Sequence, residues 1–257
     1  MDQIARRDQR TLALQRAVSF LFFPIVAPIA LFWARIVKRL SVRDADTVRA
    51  RFAELMNAEP GPVLICSNHL TLLDTIIIVW ALAPLSSYLR HYSRFPWSVP
   101  EKANFFRTWF WRVSSFLGKC VYVTRGGPRE EVKRTLEKIA YLLRSGELVS
   151  IFPEGGRSRT ERVDTENFTY GVGQIAQAVP EARVLCIYLR GRMQDGYTDS
   201  PHTGDEYSVT LEMLHPRTEA TGLRGARDLA TQIIHKLADM EDRYFADRER
   251  SGRPSIA

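Results

Sequence analysis

The sequence predicts an α/β fold, a mainly parallel or mixed central sheet flanked by helices, with a hydrophobic helical element in front of it. Two observations predict it. Short apolar runs at Val63 to Cys66, Leu148 to Phe152 and Val184 to Leu189 alternate with stretches of helical period, the pattern of βαβ units. Ahead of them, Ala17 to Ala34 is an uncharged run of eighteen residues. A chain of 257 residues suits one large domain with an appendage, and 45% apolar with 25% charged residues excludes wholesale disorder. We divide it into an anchoring segment (1–40), an α/β domain (41–247) and a frayed tail (248–257).

Residues 1 to 16 are polar and basic, with Arg6, Arg7, Arg10 and Arg16. The uncharged run then carries Phe20, Phe22, Phe23, Phe32 and Trp33 and exits through Arg35 and Lys38, which does not fit a signal-peptide cleavage site. As a helix it reaches about 27 Å, short of the roughly 30 Å hydrocarbon core. Pro24 and Pro28 would bend it, and arginines on both flanks set no orientation. A bent, shallow or re-entrant anchor is expected, ahead of a true span and of a buried helix.

From Asp44 to Met56, Val48, Phe52 and Leu55 mark an amphipathic helix, which Glu59-Pro60-Gly61-Pro62 ends before the strand Val63 to Cys66. A helix follows from Leu72 until Pro84, and Ser86 to Tyr92 is expected to be a strand. Pro100 to Leu117 predicts one long helix whose aromatics, including Phe106, Trp109, Phe110 and Trp111, are expected in the core ahead of an acyl-chain or bilayer contact. Gly118 to Gly127 predicts a strand and turn, and Pro128 opens a helix with Val132, Leu136, Ile139 and Leu143 on one face. After the strand Leu148 to Phe152 come a helix from Phe168 to Val179 and the interior strand Val184 to Leu189. Tyr207 to Leu214 alternates as a half-exposed or edge strand does, and a last helix carries Leu229, Ile233, Leu237 and Met240 on one stripe.

The net charge of +7 favours an anionic partner: nucleic acid, a phospholipid surface or an acidic carrier protein. No zinc-finger spacing, RNA-recognition signature or heptad-linked basic region is present, so an anionic membrane surface is expected and no nucleic acid. Cys66, Cys120 and Cys186 form neither a disulfide framework nor a metal site, and read as buried thiols in a reducing compartment.

The chemistry centres on Cys66 to Asp74, where one apolar run ends and another begins. On a single helix His69 and Asp74 would lie about 140° apart and could not meet. With His69 leaving a strand and Asp74 in the first turn of the next helix, the bend brings them together as an oriented general base. Arg125 and the segment Glu154 to Arg157 also follow predicted strands, so all can converge on a cleft at the carboxyl ends of the strands. With a base but no evident nucleophilic side chain, the simplest scheme has His69 deprotonate a substrate hydroxyl that attacks an activated acyl carbonyl. Asp74 fixes the imidazole tautomer, while Arg125 and Arg157 suit capture of a phosphate or another anion. Glu154 can hydrogen-bond polyol hydroxyls, and the Gly155-Gly156 backbone allows close approach.

Asn68-His69-Leu70-Thr71-Leu72-Leu73-Asp74 resembles the first signature block of the glycerophospholipid acyltransferases, typified by lysophosphatidic acid acyltransferase. Gly118 to Arg125 is similar to their second block, Phe152-Pro153-Glu154-Gly155-Gly156-Arg157-Ser158 to their third, and Val184 to Leu189 occupies the place of the fourth. The resemblance implies acyl transfer from a thioester of acyl carrier protein or coenzyme A, as co-substrate, to the hydroxyl of a lysophospholipid, with no cofactor. It implies His69 as base, Asp74 as its partner, and Arg125, Glu154, Gly155 and Arg157 as the acceptor-binding set. The family's hydrophobic N-terminal element matches Ala17 to Ala34, which implies association with the cytoplasmic face of the inner or cell membrane. Gly156 stands where the family usually has a hydroxyl residue, and Tyr188, Leu189 and Arg190 where its fourth block has a proline. Lysophosphatidic acid is the first expected acceptor and another lysolipid, such as an aminolipid, the next. A non-catalytic lipid-binding protein and a thioesterase are the rivals.

Overall fold

The computed structural model describes residues 4–106, 108–124, 126–194 and 198–250. Its centre is a strand buried along its whole length, β2 (Val63–Ser67), in the apolar run that follows Pro62. On one side β2 pairs with β4 (Val149–Ile151), which pairs with the short β3 (Trp97–Ser98). On the other it pairs with β5 (Arg183–Gly191), then β6 (Glu206–Leu214) and β1 (Ser41–Val42). The order is β1-β6-β5-β2-β4-β3, and among the described strands only β5 and β6 run antiparallel. The sheet is therefore mixed and mainly parallel, as its buried, non-alternating strands require.

Strand side chains alternate between two cores, because successive residues point to opposite faces. Leu64, Cys66, Val184, Cys186 and Tyr188 meet α7 (Arg129–Arg144), α8 (Gly171–Ala178) and α9 (Gly222–Arg250). Val63, Ile65, Leu185, Ile187 and Leu189 meet α2 (Ala45–Ala58) and α3 (Asp74–Leu82). Gly173 lets α8 press on α9, since a Cβ there would stand 1.8 Å from the Ala226 carbonyl oxygen. Cys66 and Cys186 are free and buried, register partners in adjacent strands, and Cys120 is free and partly buried.

The N-terminal helix α1 (Arg6–Phe32) begins eleven residues before the uncharged run, passes through Pro24 and Pro28, and continues as a π-helical turn, Trp33–Val37. Its length and composition would allow it to cross a membrane. It starts at Arg6 because the polar first half is bonded to the domain. Asp8 meets Arg134 at 2.6 Å and Lys138 at 3.2 Å, and Gln15 Nε2 donates to the Phe116 and Cys120 carbonyls at 3.1 Å. Arg16 pairs with Glu147 at 2.7 Å, and the Ser19 and Tyr92 hydroxyls lie 2.5 Å apart. Leu12 enters the first core, Phe23 packs on Tyr88 and Tyr92, and Ala34 of the π-helical turn enters the second core, so α1 and the turn after it touch all three clusters. The outer side of β3 is bonded by residues 119–123, Ser98 N donating to the Lys119 carbonyl at 3.0 Å and Val121 N to the Ser98 carbonyl at 2.9 Å.

Several expectations are corrected. Ser86 to Tyr92 is not a strand but α4 (Leu85–Arg90) and a 3-10 turn, Tyr92–Arg94. Pro84 opens that helix, and the Tyr88 hydroxyl anchors it by donating to the Val79 carbonyl at 2.7 Å. The long helix over 100–117 is divided into α5 (Lys102–Phe105) and α6 (Trp109–Leu117), because Thr108 turns extended and caps α6, its Oγ1 accepting from Trp111 N at 3.4 Å. Trp109, Phe110 and Trp111 lie on the surface instead of in the core. Residues 118 to 124 make only isolated bridges, Cys120 to Ser98 and Val123 to Glu101, since the neighbouring strand β3 is two residues long. The expected tail begins inside α9, which runs to Arg250.

Candidate active site

The C-terminal end of β2 opens at the middle of the sheet, between neighbours β4 and β5. Ligands gather where helices leave such a strand for opposite faces of a sheet. The last β2–β5 register pair is Ser67 with Ile187, and Asn68 extends it with its side chain. Asn68 Nδ2 donates to the Leu189 carbonyl at 2.9 Å, and its Oδ1 accepts from Leu189 N at 2.8 Å. This clamp fixes the point from which the next residue, His69, departs.

Asp74 then closes the turn. Its fully buried carboxyl accepts from Leu70 N at 2.6 Å, Thr71 N at 2.8 Å and the Thr71 hydroxyl at 2.6 Å. The oxygen that takes both backbone amides, Oδ2, also lies 3.0 Å from His69 Nδ1. Nδ1 is therefore the protonated nitrogen in the neutral ring, and Nε2 is left as the basic one. The spacing predicted this meeting across a strand-to-helix bend, and the geometry has that form.

The loop after β4 packs directly on this turn. Phe152 stacks on the imidazole, with ring centroids 3.9 Å apart and planes 11° from parallel. Ser158 N donates to the His69 carbonyl at 2.9 Å. Glu154 Oε1 accepts from His69 N at 3.0 Å, and the Glu154 carboxyl is only 8% exposed. Burial pushes its pKa up to about 8, although the His69 amide opposes the shift. Glu154 thus braces the histidine backbone through Oε1. Gly155 adopts a φ of +72°, and a Cβ there would stand 2.3 Å from Thr169 Cγ2, so the turn after Glu154 has no room for a side chain.

Arg157 pairs with Asp199, whose backbone carbonyl accepts from Leu72 N at 3.1 Å, so this guanidinium sits beside the His69 loop. Arg190, at the end of β5, reaches Glu161 at 3.1 Å and the Gln194 carbonyl at 2.9 Å and holds the chain beyond Arg157. Arg125 lies outside the described residues. The structure thus brings together His69, Asp74, Glu154, Gly155 and Arg157. The sequence reading gave Asn68, Thr71, Phe152 and Ser158 no separate task. Their places within the two motif segments were the signal that could have found them.

The arrangement offers a partly exposed imidazole, oriented from behind by a buried carboxyl, with a cation alongside. Such a group can take a proton from a hydroxyl and return it to a leaving group. No group of His, Cys, Asp and Glu suited to hold a metal occurs among the described residues. A family model described as Acyltransferase matches residues 39–193, more than half of the chain. No curated protein matches the sequence.

Proposed function

The chain belongs to the acyltransferase family, and we propose that it is a membrane-associated O-acyltransferase that moves a fatty acyl group from an acyl thioester to the open hydroxyl of a lysophospholipid. Acyl carrier protein or coenzyme A carries the donor, and lysophosphatidic acid is the first acceptor. The observation that supports this best is the contact of His69 Nδ1 with Asp74 Oδ2 at the C-terminal end of β2.

In this mechanism His69 Nε2 removes the acceptor's hydroxyl proton as the oxygen attacks the thioester carbonyl. A C–O bond forms, and the tetrahedral intermediate collapses with cleavage of the C–S bond. The departing thiolate takes the proton back from the imidazolium. Asp74 stabilises that imidazolium and holds the ring so that Nε2 faces the acceptor. Arg157 binds the acceptor's phosphate, sharing its guanidinium with Asp199, and Arg125 is assigned to the same task from its position in the motif. The apolar outer side of α1 keeps the enzyme at the cytoplasmic leaflet, where its lipid acceptor resides.

The test supplies purified protein in detergent with acyl carrier protein and coenzyme A thioesters and a panel of lysolipids, products being read by mass spectrometry. Lysophosphatidic acid should be acylated by the wild type and about 10²- to 10⁴-fold more slowly by His69→Ala. An acylated aminolipid in its place would move the acceptor assignment. Absence of turnover with every pair would favour a lipid-binding protein.

A further inference from the structure

Neither core nor chemistry uses the outer side of α6. Trp109, Phe110, Trp111 and Val113 are exposed, Trp109 to 75%, and among the residues of this helix only Ser115 is buried. The inward side is already partnered, with the Ser115 hydroxyl donating to the Trp111 carbonyl at 2.5 Å and touching the Tyr122 hydroxyl. On the outside, the rings of Trp109 and Phe110 lie 6.4 Å apart and those of Phe110 and Trp111 5.6 Å apart, a row of exposed aromatics.

Two neighbours give that surface a direction. α6 packs on α1, whose outward residues Leu21, Ile25 and Ile29 are exposed as well, so two apolar faces adjoin. α5 follows β3, and the parallel bridge from Glu101 to Val123 puts it just beyond the strand ends, on the His69 side of the sheet. Cations surround the aromatics. Lys102 lies 5.8 Å and Arg112 5.1 Å from the centroid of Phe106, which is itself exposed.

We infer that α6 is a second membrane-docking element, lying in the headgroup–acyl boundary of an anionic bilayer with Trp109 and Phe110 inserted, alongside α1. The inference rests on the membrane-associated reading above and extends it to a segment outside the N-terminal helix. A bilayer fits better than a protein partner for two reasons. The best window of α1 has a mean hydropathy of 2.1 with 17% buried, whereas a protein interface is only about as apolar as ordinary surface. A second copy of a chain with charge +7 would also bring like charges together, while tryptophan with lysine and arginine is the composition that settles at an anionic lipid surface. Docked in this way, α6 would bring the strand ends that carry His69 towards the leaflet holding the acceptor.

The experiment uses the full chain with vesicles of phosphatidylglycerol and phosphatidylcholine, comparing wild type with a Trp109→Ser, Phe110→Ser double variant. Half-maximal binding should need at least about tenfold more lipid in the variant, with turnover of a short-chain lysolipid in detergent unchanged. Bromine-labelled phosphatidylcholine should quench Trp109 emission, taken as the difference between wild type and Trp109→Phe, a substitution that keeps an aromatic ring. Unaltered vesicle binding with unquenched Trp109 would overturn the inference and leave the acyltransferase reading intact. A detergent-free dimer that the double variant splits would also overturn it, by making a second copy the occupant. Vesicle binding through α6 without acylation of any lysolipid would support the docking element and sink the acyltransferase reading.

Discussion

At the scale of single residues, the site is a histidine held on three sides. Asp74 holds Nδ1, Glu154 holds the backbone amide and Phe152 covers one face of the ring. Phe152 contacts the imidazole without any group able to react, so under the proposed function its task is to fix the ring plane. Phe152→Leu should lower kcat about tenfold with KM nearly unchanged, and Phe152→Tyr should restore it, as steady-state kinetics will show. A matching rise in KM would mean that the ring binds substrate instead. Glu154 yields a prediction about pH. Its folded pKa, about 8, lies above the ordinary 4.5, so between those values the folded state holds a proton that the unfolded chain has released. Stability from this group is therefore full below about pH 4.5 and falls as pH rises towards 8, by at most about 1.4 kcal/mol per unit. Glu154→Gln, permanently neutral, should melt close to wild type at pH 5 and clearly above it at pH 8, and equal melting temperatures at both would contradict the burial argument. His69 and Asp74 were legible from their spacing because a strand-to-helix bend is the local geometry that joins them. Glu154 was legible as a strand-end residue near His69, but its bond to the His69 amide was not, since a sequence does not show which remote amide a carboxyl reaches.

At the scale of elements, the strands β2, β4 and β5 were readable because buried strands need apolar runs, β6 because its apolar and polar residues alternate, and α2, α7 and α9 because their stripes have helical period. The misreadings fall where a neighbouring element decides. Ser86 to Tyr92 has alternating large residues, yet Pro84 and the Tyr88 anchor make it helical. The aromatics of 105–116 repeat as core helices do, yet Thr108 breaks the segment and turns Trp109 to the surface. The start of α1 was placed too late because the partners of Asp8, Gln15 and Arg16 are remote in sequence. The partner of Arg16 belongs to a buried pair. Lys119 has no exposed surface and donates to Glu147 at 2.6 Å and to the Phe95 carbonyl at 2.7 Å, while Glu147 also accepts from Trp97 Nε1 at 2.8 Å and binds Arg16. Burial lowers the Lys119 pKa to about 8 despite the attraction of Glu147. Removing one partner of a buried pair leaves the other unbalanced, so Lys119→Met should cost about 3 kcal/mol in chemical unfolding. A loss under about 1 kcal/mol would show that Arg16 and Trp97 suffice for Glu147.

At the scale of the whole molecule, three loops at strand ends were expected to form one site, and two of them do so through direct bonds between the His69 and Glu154 segments. The third carries Arg125, outside the described residues. The long apolar helix was legible as an exceptional element, but its seat on the domain follows from contacts spread over more than a hundred residues of sequence. Under the proposed function, the imidazole at the end of β2 carries acyl transfer, and Arg157 and Arg125 recognise the acceptor. The most direct test incubates an acyl thioester with lysophosphatidic acid and reads free thiol and acylated lipid in the same vessel. The wild type should release one thiol for each phosphatidic acid formed, and His69→Ala should slow both by about 10²- to 10⁴-fold, the range a general base contributes. Thiol release without acylated lipid, or a His69→Ala rate equal to wild type, would contradict it.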